Sequence, residues 1–199
     1  MLYFSEMKRF LTILILIFSL QTPSQADDIR DFQLEGISLY DSALDHFSEK
    51  QIKNNLQNWY KNKKYSTTSL MNLPQFKIYE ELQISFKTGD KNYKIVDISG
   101  IQPKNINSCY KELDQVDKEL SEMFKNAKKR NKKKYSHSYD KTGDSKITDI
   151  FWKFSTGDLI LAACYDFSKK MEKEENYTDD FRITIGSEEF DKFLISDPY

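Results

Sequence analysis

The chain has 199 residues, with 30 Lys and Arg against 31 Asp and Glu and a net charge of −1; 14% of it is aromatic. The balanced charge excludes a dedicated nucleic-acid binder, which carries a basic excess. The aromatic content excludes a disordered chain, and the length suits one domain behind a short leader.

Residues 1–26 read as a cleavable secretory signal. Lys8 and Arg9 precede an apolar run from Phe10 to Leu20, Pro23 breaks it, and Ser24-Gln25-Ala26 places small residues at the −3 and −1 positions of a cleavage site. Met7 is the expected start, because Met7-Lys8-Arg9 forms a basic opening to which Glu6 is foreign. The apolar run is about half the ~20 residues of a spanning helix. Cleavage is therefore expected over retention as an anchor, and no later stretch is apolar enough to span a bilayer. With no cysteine near the cleavage site, a lipid anchor is not expected. The exported product is 27–199, a single domain expected in the periplasm of a Gram-negative bacterium or secreted.

In chain order, Phe32 and Leu34 alternate with polar residues up to Gly36, which predicts a short extended segment. Ser38 is the expected cap of a first helix carrying Ala43, Leu44 and Phe47. Ser48-Glu49-Lys50-Gln51 is a capping-box pattern and opens a second short helix with Ile52 and Leu56. Tyr65–Leu70 reads as a strand. Ile78–Lys87 and Tyr93–Ile101, joined by Thr88-Gly89-Asp90-Lys91, read as a hairpin. Ser108 is the expected cap of the longest helix, Cys109–Lys128, whose apolar stripe includes Leu113, Val116, Leu120 and Phe124. Strands follow at Tyr135–Tyr139, Ile147–Phe154, Leu159–Phe167 and Phe181–Ile185. A charged loop spans Lys169–Asp180, and a short last helix ends near Leu194.

The fold class is α+β: an antiparallel sheet of about five to seven strands, with one long helix and short N-terminal helices packed on one face. Cys109 and Cys164 are the only cysteines, and an oxidising compartment favours their pairing over two separate buried thiols. The bond would pin the long helix to the sheet and contribute about 4 kcal/mol in the loop-entropy account.

Lys125, Lys128, Lys129, Arg130, Lys132, Lys133 and Lys134 form the strongest local charge feature. Such a run either holds an anionic surface, such as lipid headgroups or a polyanion, or is the solvated C-terminal end of the helix, where cations suit the dipole. His46 and His137 are the only histidines and lack the spacing of a zinc site. Asp140-Lys141-Thr142-Gly143-Asp144 carries too few alternating acids for a calcium loop and suits a turn. Gly36-Ile37-Ser38-Leu39-Tyr40 lacks the last glycine of a nucleophile elbow. Phe151-Trp152-Lys153-Phe154 is either a ligand-stacking strip or core, with Trp152 and Phe154 on the side opposite Phe151 and Lys153. No glycine loop that cradles phosphate is present, so no catalytic, metal or cofactor residues are assigned.

The stretch Asp28–Leu44, taken with Cys109 and Cys164-Tyr165-Asp166, resembles a group of small exported proteins of marine alphaproteobacteria; the resemblance covers most of the exported chain and implies no particular activity. Gly36-Ile37-Ser38, read as opening a short helix after a strand, is similar to the start of the SmpA/OmlA outer-membrane assembly lipoproteins and related β-lactamase-inhibitor-like domains. That likeness implies helices on a small antiparallel sheet and a protein-binding role. It spans only a short stretch and lacks the lipidated cysteine, so no functional residue carries over.

These readings order the functions. First comes a periplasmic, non-enzymatic module that binds an envelope protein. The alternatives are an envelope hydrolase built on distant carboxylates and a binder of anionic surfaces through the 125–134 run.

Overall fold

The structure, a computed structural model, describes residues 29–196. The leader, Met7 and the cleavage site after Ala26 lie outside those residues.

The N-terminal segment folds as a small hairpin, β1 (Gln33–Leu34) and β2 (Ile37–Ser38), turned at Glu35 and Gly36, both at positive φ. The Glu35 carboxylate reaches across to the Lys77, Ile78 and Tyr79 backbone and accepts N–H bonds from all three, at 3.0, 2.7 and 3.0 Å through one oxygen. Ser38 therefore starts no helix. Its N–H is taken by the Asp41 carboxylate at 2.9 Å, and Tyr40 turns the chain at φ 73°. A single 3-10 turn follows at Ala43–Asp45, capped by Ser42. The Ser48–Gln51 capping box forms as the sequence predicts and opens α1 (Glu49–Asn54).

Eight strands then build one antiparallel sheet, above the expected five to seven. They are β3 (Leu56–Gln57), β4 (Tyr65–Met71), β5 (Glu81–Lys87), β6 (Ile95–Pro103), β7 (Lys128–Ser136), β8 (Lys146–Lys153), β9 (Leu159–Asp166) and β10 (Asp180–Gly186). Their spatial order is β3-β4-β5-β6-β10-β9-β8-β7. Two meanders thus meet where β6 pairs with β10. Between them runs α2 (Ile106–Met123), whose cap is Asn105; Ser108, the expected cap, sits one turn in and donates its N–H to Asn105 at 3.1 Å. Cys109, Leu113 and Leu120 are its buried stripe. The Cys109–Cys164 disulfide joins α2 to β9, with Cα atoms 5.8 Å apart.

The helix ends at Phe124, short of Lys128, and from Lys128 on the lysine run is neither helix nor loop: it is β7, the outermost strand. Lysine has no preference for strands. The run is extended because β8 offers a ladder from Lys146 to Lys153 and because acids on α2 face its cations. The expected strand at Tyr135–Tyr139 is only the end of β7. The charged loop contains a further helix, α3 (Lys169–Glu175), capped by Ser168.

The core lies between the sheet and α2, with Phe32, Leu34, Ile37, Leu39 and Ile52 of the N-terminal segment joining it. The long helix and the short N-terminal helix share one face, as expected, and α4 (Glu188–Ile195), whose side the sequence left open, lies on the opposite face. Phe190 and Phe193, one turn apart, must bury together. They do so against Tyr65 of β4, with ring centroids at 5.1 and 4.8 Å, and against Tyr60 and Val96. No described helix is long and apolar enough to cross a membrane.

Candidate interaction face

The pleat of β7 sorts the lysine run between the two faces of the sheet. Lys129 pairs in register with Trp152, which is buried under α2 and donates its indole N–H to Ser121 at 3.3 Å. Arg130 is opposite Phe151 and so points to the other side. A bulge follows, placing two residues of β7 opposite Ile150 and restoring Lys133 to the Arg130 side, opposite Asp149. On the α2 side, Lys129 pairs with Asp117 and Lys132 with Asp114; Lys134 donates to the Tyr110 hydroxyl at 3.2 Å and stands 3.7 Å from Asp166. These cations clip the edge strand to α2. Lys125, at the turn before the strand, is exposed, as are Lys128 and Lys133 on the other side. None of the three has an acid partner among the described residues.

On that other side, α4 covers only the end of the sheet near Tyr65 and Val96. No described helix belongs to a cluster on that side of the half built from β7 to β10, where Phe151, Tyr165 and Arg182 are half-buried. Arg182 of β10 lies over the Tyr165 ring at 3.8 Å and forks onto Asp180 at 2.7 and 2.9 Å. Arg130 lies over the Phe151 ring at 4.4 Å and bonds Asp149, which also accepts from the Tyr135 hydroxyl at 2.8 Å. Both aspartates are nearly inaccessible, at 2% for Asp149 and 4% for Asp180. They orient the guanidinium groups while the rings support them from below. Burial works against the Arg182 cation, but the fork onto Asp180, together with Tyr165 and Glu81 nearby, outweighs it and holds its pKa above the ordinary value. Burial raises Asp180, opposed by Arg182, and burial with the Asp149 charge raises Tyr135. By register, the outward positions of these four strands carry five cations (Lys128, Arg130, Lys133, Lys153 and Arg182) against two carboxylates, Asp149 and Asp180. The face is cationic although the chain is not.

The sequence marked Lys128, Arg130 and Lys133 but missed Arg182, Asp180, Tyr165, Asp149 and Tyr135. The only local signal was a charged residue at an alternate position of each strand, as in Phe181-Arg182-Ile183.

The other candidates resolve as structure. Trp152 and Phe154 are core, as their alternation predicts, while Phe151 supports Arg130. His46 faces Asp41 at 3.4 Å; His137 packs on Tyr165 and Phe167, and burial, then Arg182, lowers its pKa. Among the described residues no three metal-ligating side chains converge. The Asp140 carboxylate accepts from the hydroxyls of Thr142, Ser145 and Ser168 and from the N–H groups of Thr142 and Ser145, and these bonds hold its pKa well below the usual range. The Ser38 hydroxyl donates to the Arg30 carbonyl at 3.2 Å and accepts from Gln33 at 3.0 Å.

A cleft of about 430 Å³ opens beside Tyr40, Thr156, Asp158 and Glu188. Asp158 is already occupied there, accepting from the Tyr40 hydroxyl at 2.8 Å, the Glu188 N–H at 3.0 Å and the Thr156 hydroxyl at 3.0 Å. Burial, and then the Asp191 charge, pushes the Asp97 carboxyl up to about 8. It sits beneath α4 and lines neither this cleft nor the smaller one at Phe76–Glu80. Comparison with protein-family profiles, with curated proteins and with solved structures finds no match for this chain.

Proposed function

We propose that this chain is an exported, non-enzymatic interaction module that docks an acid-rich protein partner on the sheet face opposite α2. One observation carries the reading: two arginines, each laid over an aromatic ring and oriented by a nearly buried aspartate, stand on a face that no described helix covers. Arginine and tyrosine are the residue types that dominate binding energy at protein interfaces. Here they are already ordered, which lowers the entropic cost of docking. The surplus cations at Lys128, Lys133 and Lys153 select an acidic surface and speed its encounter. The leader and the Cys109–Cys164 bond support an oxidising compartment.

The test is binding of the mature chain to immobilised poly-L-glutamate and to phosphatidylglycerol vesicles, at low and high salt. Poly-L-glutamate is expected to retain the protein at low salt, and the double variant Lys128→Glu/Lys133→Glu to bind roughly tenfold more weakly, as two lost rim charges imply. Lys50→Glu, an exposed charge on α1, is expected to change nothing. Retention by vesicles alone would replace the protein partner with a lipid surface. Equal binding by all variants, or turnover in a broad hydrolase screen, would overturn the reading.

A further inference from the structure

The geometry points to strand addition: the acidic partner contributes an extended segment that pairs with the outer edge of β7 as a ninth strand. This rests on the docking reading above and specifies its partner and mode.

The sheet has two unlike ends. At one, β3 is two residues long; at the other, β7 runs from Lys128 to Ser136 with β8 as its only strand neighbour among the described residues. Every second N–H and C=O of such an edge points outward, and these groups match the backbone of another polypeptide. A polysaccharide or a lipid headgroup has no such row. A second copy of this chain is disfavoured, since pairing two β7 strands would set lysines against lysines.

The two sides of the edge make different demands on a guest strand. On the α2 side, Lys129, Lys132 and Lys134 already hold Asp117, Asp114 and the Tyr110–Asp166 pair. On the other side Lys128 and Lys133 are exposed and have no acid partner among the described residues. Guest side chains alternate between the same two sides. The segment recognised therefore carries acids at every second residue, with small neutral residues between. The bulge after Arg130 divides the edge into Lys128–Arg130 and Lys133–Ser136, so the guest anchors at two short stretches.

The experiment uses the full mature chain and three peptides: alternating Thr-Glu, a block isomer of the same composition, and the alternating peptide N-methylated at every second amide on its pairing edge. Affinity is measured together with amide exchange of β7. The alternating peptide is expected to bind best and to slow exchange of the outward β7 amides at least tenfold. Methylation is expected to cost at least tenfold in affinity with charge unchanged, and Lys128→Glu/Lys133→Glu is expected to abolish protection. If the methylated peptide binds equally well and still depends on Lys128 and Lys133, strand addition is overturned while docking on the face stands. If no peptide responds to those lysines, both fall.

Discussion

At Asp97 the fold keeps a carboxyl out of water, facing Asp191 of α4 and lying beside the Tyr60–Thr67–Ser85 hydroxyl chain. Its pKa of about 8 lies above the ordinary 3.8. Between those values the folded chain holds a proton that the unfolded chain has released. Stability from this group is therefore greatest below pH 4 and declines as pH rises toward 8, by at most about 1.4 kcal/mol per pH unit. Asp97→Asn fixes the neutral state. Its thermal midpoint is expected to match the native chain near pH 4 and to exceed it at pH 8; a lower midpoint at pH 8 would refute the account. Glu35 is held by hydrogen bonds instead: its carboxylate accepts from three backbone N–H groups. Glu35→Gln is expected to lose about 1–3 kcal/mol in urea unfolding at neutral pH, since N–H groups aimed at a carboxylate keep a weaker acceptor.

Local chemistry settles some elements of this chain and not others. The β5–β6 hairpin is legible because Thr88-Gly89-Asp90 turns between alternating apolar runs, with Gly89 at φ 81°. The capping box at Ser48 is legible because both of its bonds are local. β7 is not legible. Nothing within Lys128–Lys134 prefers extension, and its partners, β8 and the acids of α2, are distant in sequence. α3 is hidden for a related reason: Met171 is its only buried residue, so it has no apolar period to read. The disulfide is legible from compartment and count, and its mechanical role can be tested. Cys109→Ser/Cys164→Ser is expected to cost about 2–5 kcal/mol and to speed amide exchange in α2 and β9 more than in β4 and β5. Loss spread evenly over the sheet would show that the bond does not act as a local pin.

The molecule as a whole has three layers, with α2 and the N-terminal segment on one face of the sheet and α4 on the other. Phe193→Ala is expected to cost about 3–5 kcal/mol through the cavity left against Tyr60 and Tyr65, with a matching rise in binding of a hydrophobic dye. The same scale explains why the interaction face was only partly legible. Its charges come from four strands, and Asp180 and Arg182 reach Tyr165 only because β10 returns to pair with β9. The bulge that turns Lys133 toward that face has no glycine or apolar break to mark it, only Asn131 within a run of cations.

The junction of β6 with β10 also sets an order of assembly. Each meander joins strands that follow one another along the chain, so each closes short loops and can form early. The junction alone must bring together strands separated by α2 and three further strands. Contacts of such separation form slowly. In pulsed exchange during refolding, the amides between β6 and β10 are expected to gain protection last, after both half-sheets. The polypeptide would then mature as two curtains drawn together at a seam, with the cationic half complete before it closes.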